Sequence, residues 1–204
     1  MELLEEEVEA GGVALRLLRP PDAEALIDED AFAQNEFLPY WAELWPAGLA
    51  LAAALPPSLR GLRVVELGCG LGLPSLAAAA RGAEVVATDW SADAIELLRL
   101  NAERNGIRLR AEVADWADWN LDGPWDLVLS ADVLYEQRNV PLLLDLLPRL
   151  GAEALIAEPG RPPSQAFFRE ARERWTVEEL GDRVYRVTTR PSAPSSRAAP
   201  AGPA

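Results

Sequence analysis

From residue 46 to about residue 190 the chain alternates short apolar runs with helix-like stretches, and this alternation constrains its fold more than any other feature. Arg63 to Leu67 is a strand-length run between Gly61 and Gly68. A helix follows it, with Pro74 near the first turn, where a missing N–H does no harm. Glu84 to Thr88 is a Val-rich strand. Ser91 is placed to cap a helix whose Ala94, Ile95, Leu98 and Ala102 share one face and which Asn105-Gly106 ends. Leu109 to Val113, Asp126 to Ser130 and Ala154 to Ala157 are three more strands, with a Leu-rich helix from about Val140 between the last two. Thr176 to Leu180 and Arg183 to Thr189 close the series as an antiparallel pair. Short apolar strands separated by helices predict an α/β fold: a Rossmann-like, doubly wound, mostly parallel sheet of seven strands covered on both faces.

Ahead of this region, Leu3 to Val8 and Val13 to Leu18 flank Gly11-Gly12 and predict an N-terminal β-hairpin. Pro20 to Pro39 is expected to be a mixed loop with one helical turn. The organisation expected is a hairpin and loop extension over 1–38, an α/β domain over 39–190 and a disordered Pro, Ala and Ser tail over 191–204.

Composition then removes whole classes of chemistry. The 204 residues contain no histidine, which excludes Ser-His-Asp triads, imidazole bases and His-ligated metals. Cys69 is the only cysteine, so no internal disulfide and no thiolate zinc site is expected. The acidic start (Glu2, Glu5, Glu6, Glu7, Glu9) has the wrong charge for a secretory signal peptide. No apolar run reaches the ~18 residues of a membrane span. With 33 acidic residues against 19 basic, all of them arginine, the net charge is −14. Such a chain repels phosphate backbones and steers cationic partners inward, although acidity also serves plain solubility. A cytoplasmic monomer that binds neither nucleic acid nor membrane is the expectation.

In doubly wound sheets ligands sit beyond the carboxyl ends of the strands. That places function at Glu66 to Gly72, Asp89, Asp115 and Asp132. Glu66-Leu67-Gly68-Cys69-Gly70-Leu71-Gly72 reads as G-x-G-x-G led by an acid. A dinucleotide fingerprint needs glycine at 73, where Leu73 stands, and Glu66 would repel a pyrophosphate but welcome an ammonium group. With no lysine, a P-loop is excluded. The bland alternative is a tight strand-to-helix turn. Asp89 ends the second strand, about where an acid reaches ribose hydroxyls, or else it caps the next helix. Asp115 with Trp116 offers a carboxylate beside a flat ring suited to adenine. Alternatively Trp116, Trp119 and Trp125 pack the rim of the core. Cys69 has nothing nearby to activate it and reads as a small residue between glycines.

Together these residues resemble the cofactor site of class I, seven-β-strand methyltransferases that use S-adenosylmethionine, over roughly Tyr40 to Arg161. Pro39-Tyr40-Trp41-Ala42-Glu43-Leu44-Trp45-Pro46-Ala47-Gly48 and Asp132-Val133-Leu134-Tyr135 resemble elements of the protein lysine methyltransferase branch. Glu158-Pro159-Gly160-Arg161-Pro162 is similar to the Pro-Gly-Arg element of the electron-transfer-flavoprotein β-subunit lysine methyltransferases, with Glu158 in place of their aspartate. The resemblance implies that Glu66 binds the cofactor's amino group and that Gly68, Cys69 and Gly70 line its methionine part. It implies further that Asp89 accepts from the ribose hydroxyls, Trp90 covers the adenine and Asp115 with Trp116 meets its edge. Trp45 and Ala131 would complete the wall.

Methyl transfer from a sulfonium brings its own leaving group, so a chain without His or Lys is suited to it. Positioning alone can supply ~7–11 kcal/mol. Asp132 is expected to dock and orient a substrate ammonium, and Tyr135 to hydrogen-bond its nitrogen or offer a ring face; a helix cap and a packing residue are the alternatives. The acceptor expected is lysine on a partner protein. A small-molecule amine, a cofactor-binding module without turnover and a nicotinamide-dependent oxidoreductase are the competing readings.

Overall fold

A computed structural model of the chain describes residues 2–23, 26 and 39–189. The tail expected to be disordered over 191–204 lies outside the described residues, as does most of the loop expected between Pro20 and Pro39. The elements in chain order are β1 (Leu4–Ala10), β2 (Val13–Arg19), a single 3-10 turn (Tyr40–Ala42), α1 (Pro46–Ala54), β3 (Arg63–Leu67), α2 (Leu73–Ala80), β4 (Glu84–Asp89) and α3 (Ala92–Arg104). They continue with β5 (Arg110–Val113), β6 (Leu127–Ala131), α4 (Asn139–Leu150), β7 (Glu153–Ala157), α5 (Pro162–Arg174), β8 (Thr176–Gly181) and β9 (Val184–Thr188).

The seven-stranded sheet runs β5-β4-β3-β6-β7-β9-β8. β3 through β7 pair in parallel, and β9 pairs antiparallel with both β7 and β8. Alternate residues of each parallel strand serve opposite faces, as the pleat requires. Val64, Leu127, Leu129 and Leu155 join α1, α2 and α3 in one core. Val65, Val128, Ala154 and Ile156 join α4 and α5 in the other. This three-layer arrangement is the one the alternating sequence predicts.

β3 has β4 on one side and β6 on the other, so the chain segments leaving β3 and β6 diverge and open a crevice at the strands' carboxyl ends. Local sequence explains how α2 starts there. Gly72 takes a left-handed φ of 82°, which an L-residue adopts only at a cost, and Pro74 sits in the first turn, where it lacks no needed donor. Ser91 Oγ accepts from Ala94 N and starts α3 as predicted. The hairpin β1–β2 pairs over its full length, and its Val8, Ala10, Leu15 and Leu17 enter the same core as α1–α3. Asn101, fully buried on α3, holds it there. Its side chain accepts from Leu18 N at 2.6 Å and donates to Leu18 O at 3.1 Å and Leu71 O at 3.2 Å.

Candidate active site

The crevice is a cavity of about 660 Å³, within the range typical of cofactor sites. All twelve residues singled out from the sequence line it: Trp45, Glu66, Gly68, Cys69, Gly70, Asp89, Trp90, Asp115, Trp116, Ala131, Asp132 and Tyr135.

Glu66 lies near the end of β3 in the floor and is 1% exposed. Its Oε2 accepts from Ser75 N at 2.9 Å, an orphan donor in the first turn of α2, and from the Ser75 hydroxyl. Oε1 is left to the cavity. Burial pushes the Glu66 carboxyl up to about 8, against the lowering effect of the Ser75 bonds and with a further push from Asp89. Asp89, also buried, has both oxygens on backbone: Oδ2 accepts from Gly70 N at 2.9 Å and Oδ1 from Ser91 N at 3.0 Å. It therefore ties the glycine loop to the start of α3. Burial raises its pKa as well, with its backbone bonds acting against the shift.

The glycines let neighbouring chain pack where a side chain would collide. A Cβ on Gly68 would stand 2.8 Å from Val133 Cγ1, and one on Gly70 would stand 3.1 Å from the Trp41 carbonyl oxygen. Cys69 between them is buried, and burial with two acidic neighbours, Asp89 and Glu66, raises its thiol well above the usual range. A thiol held protonated is a poor nucleophile.

Farther out, Asp115 is exposed and its Oδ1 accepts from Ala117 N at 2.8 Å. Trp116 is half-buried, both a wall of the cavity and a packing partner of the second core. Trp90 keeps 48% of its surface open beside it. Trp125, by contrast, is buried in the second core, as a packing role requires.

The far end of the cavity is where sequence reasoning was incomplete. Asp132 follows β6 with a φ of 50°, unusual for a residue other than glycine. Its side chain, 6% exposed, is gripped by Arg161: Nε meets Oδ1 and Nη2 meets Oδ2, each at 2.8 Å. The carboxylate expected to hold a substrate ammonium is thus already matched by a fixed guanidinium. Arg161 also lies over the Trp45 ring at 5.8 Å. The Trp45 Nε1–H donates to Tyr40 O at 2.8 Å, and the Tyr40 ring packs edge-on against Tyr135 at 5.4 Å. Burial pushes the Tyr135 hydroxyl up to about 12, so it stays a neutral phenol.

These features stand beside what known proteins show. A model of the lysine methyltransferase family matches residues 40–172. The chain belongs to the lysine methyltransferase family. The electron transfer flavoprotein beta subunit lysine methyltransferase of Xenopus laevis is 40% identical over 131 residues, covering 60% of this chain and 53% of that protein. The EEF1A lysine methyltransferase 3 of Mus musculus is 32% identical over 179 residues, covering 76% and 75% respectively. The chain spans about half the length of its electron-transfer-flavoprotein-type relatives. Among solved structures, T. thermophilus 16S rRNA methyltransferase RsmC, in complex with AdoMet and guanosine, superposes with a TM-score of 0.68 at 16% identity. That match covers 92% of this chain and 51% of the other, and it shows the shared fold. In this lysine methyltransferase family member, then, the residues the sequence did not assign are Arg161, Glu158 and Tyr40. All three were visible within motifs; nothing local announced their contacts.

Proposed function

We propose that this chain binds S-adenosylmethionine in the crevice and methylates lysine side chains of a partner protein. One observation carries this: acids at the ends of successive parallel strands, Glu66, Asp89 and Asp115, line one cavity together with Asp132 and Tyr135. The cavity fits such a cofactor. Gly68 and Gly70 line it, and the buried Glu66 carboxyl, which has no ion-pair partner among the described residues, suits an amino group. Asp89 stands where ribose hydroxyls would be met, with Trp90 and the Asp115–Trp116 pair flanking an adenine and Trp45 and Ala131 completing the wall.

When bound, the sulfonium supplies both the methyl group and its leaving group. What the chain must do is place the acceptor and help it lose a proton. A lysine ammonium with its ordinary pKa of about 10.4 costs roughly 4–5 kcal/mol to deprotonate at pH 7. A bare carboxylate at Asp132 would raise that cost. Arg161 occupies both oxygens, so the acceptor end offers an ion pair of no net charge and holds an ammonium less strongly. Tyr135, a neutral phenol, can hydrogen-bond the incoming nitrogen but cannot act as its base at neutral pH.

The test is incubation with methyl-labelled S-adenosylmethionine and cell lysate, followed by acid hydrolysis of the protein fraction. Because the chain contains no lysine, it contributes no methyl-lysine of its own. Label in methyl-lysine supports the proposal. Label only in small molecules would instead make this an amine methyltransferase, and binding without transfer would leave a cofactor-binding module.

A further inference from the structure

Behind the acceptor end of the cavity, the segment after β7 reaches across to the turn after β6 at two places. Glu158 is 1% exposed, and its Oε1 accepts from Val133 N at 3.1 Å and Leu134 N at 3.0 Å. Those are the two residues between Asp132 and Tyr135. Three positions on, Arg161 takes both oxygens of Asp132. The segment is itself anchored, for Glu158 N donates to Arg183 O at 3.1 Å, and Asp132 N donates to Ala157 O at 2.8 Å.

The turn needs such support. A non-glycine residue held at positive φ costs about 1–3 kcal/mol and persists only where its surroundings over-determine it. Asn139 Nδ2 donates to Val133 O at 2.7 Å, which uses the turn's carbonyl, but the two amides of Val133 and Leu134 rest on Glu158. The placement of Glu158 has a cost of its own. Its Oε2 is buried without a hydrogen-bond partner among the described residues, which is costly for a carboxyl group. An apolar residue in its place would remove that cost but strand the two amides.

We propose that Glu158 and Arg161 are positioning residues: Glu158 holds the backbone between Asp132 and Tyr135, Arg161 holds the Asp132 carboxylate, and together they present both side chains to the methyl acceptor. This rests on the methyltransferase function above. Burial raises the Glu158 carboxyl to about 8, so at neutral pH it is largely protonated and an amide is a close mimic of it.

Two measurements test it. Amide hydrogen exchange of the full chain without ligand reads the turn directly. Glu158→Ala is expected to speed exchange at Val133 and Leu134 at least tenfold with β6 unchanged, and Glu158→Gln to restore the wild-type rate. Methyl-lysine formation in lysate protein reads the consequence. Glu158→Ala and Arg161→Gln are each expected to lower the initial rate of lysine labelling at saturating cofactor at least tenfold, with S-adenosylhomocysteine Kd within twofold of wild type and Glu158→Gln near normal. Should Glu158→Ala prove unfolded, Arg161→Gln, whose side chain is 40% exposed, carries the kinetic arm. Unchanged exchange at the two amides, or labelling rate and cofactor binding falling together, would overturn the proposal. A wild-type protein that labels no lysine while the exchange result holds would sink the function and leave the clamp standing.

Discussion

Replacing Glu66 by glutamine probes the floor of the cavity most sharply. In the free protein the carboxyl titrates at about 8, so at pH 7 roughly nine in ten molecules carry the proton there. A ligand ammonium placed against it stabilises the anion and drives its pKa below the working pH. Binding should therefore expel close to one proton per ligand at pH 7. By linkage, affinity should tighten about eightfold between pH 6 and pH 7. In Glu66→Gln the side-chain amide oxygen can still accept from Ser75 N, so α2 keeps its start, but nothing remains to ionise. Calorimetry with S-adenosylhomocysteine, repeated in buffers of different ionisation enthalpy, counts the protons directly. The variant should bind about 10–100-fold more weakly and release none, as expected for the loss of a charged hydrogen bond. Wild-type binding without proton release at pH 7, or release that survives in Glu66→Gln, would refute the placement of the amino group at Glu66.

Other expectations follow from the same geometry. Because Glu66 and Glu158 each have a folded pKa raised to about 8 from 4.5, their protonated forms favour the folded state below about pH 4.5. That contribution is lost as pH rises toward 8, so thermal scans of the free protein should show Tm falling from pH 5 to pH 8.5, less steeply in Glu66→Gln. Asp132→Asn should lower methyl transfer at least tenfold and leave S-adenosylhomocysteine binding nearly intact; Tyr135→Phe should lower it several-fold with the same split. Gly72→Ala would put a Cβ 2.0 Å from Leu98 Cδ1, a fully buried side chain, at a φ of 82°. Urea titration should show a loss of about 2–4 kcal/mol. Asn101→Ala leaves part-buried backbone groups of β2 unpaired and should cost about 1–3 kcal/mol in the same assay.

The central strands β3, β4, β6 and β7 were legible because each is a short, largely apolar run closed by turn residues, and the observed strand ends lie within two residues of the sequence reading. The meeting of Glu66, Asp89 and Asp115 in one cavity was legible for a related reason: each sits at or close to a strand end, and a parallel sheet gathers such ends on one edge. What escaped lies across the sheet. α1, PAGLALAAA, is apolar on nearly every side and gives no periodic face to read. The grip of Arg161 on Asp132 spans 29 residues, and the Glu158 bonds span 25 and 24. Both depend on the pairing of β6 with β7, and no local pattern encodes which acid meets which cation. Identity alone made Asp132 a free carboxylate; its partner makes it half of an ion pair.

A crystal structure with S-adenosylhomocysteine is the most direct trial. It should place the amino group on Glu66, the ribose hydroxyls on Asp89 and the adenine between Trp90 and Asp115–Trp116, with the sulfur turned toward Asp132 and Tyr135. A nucleoside lodged outside this crevice, or reversed within it, would contradict the assignment.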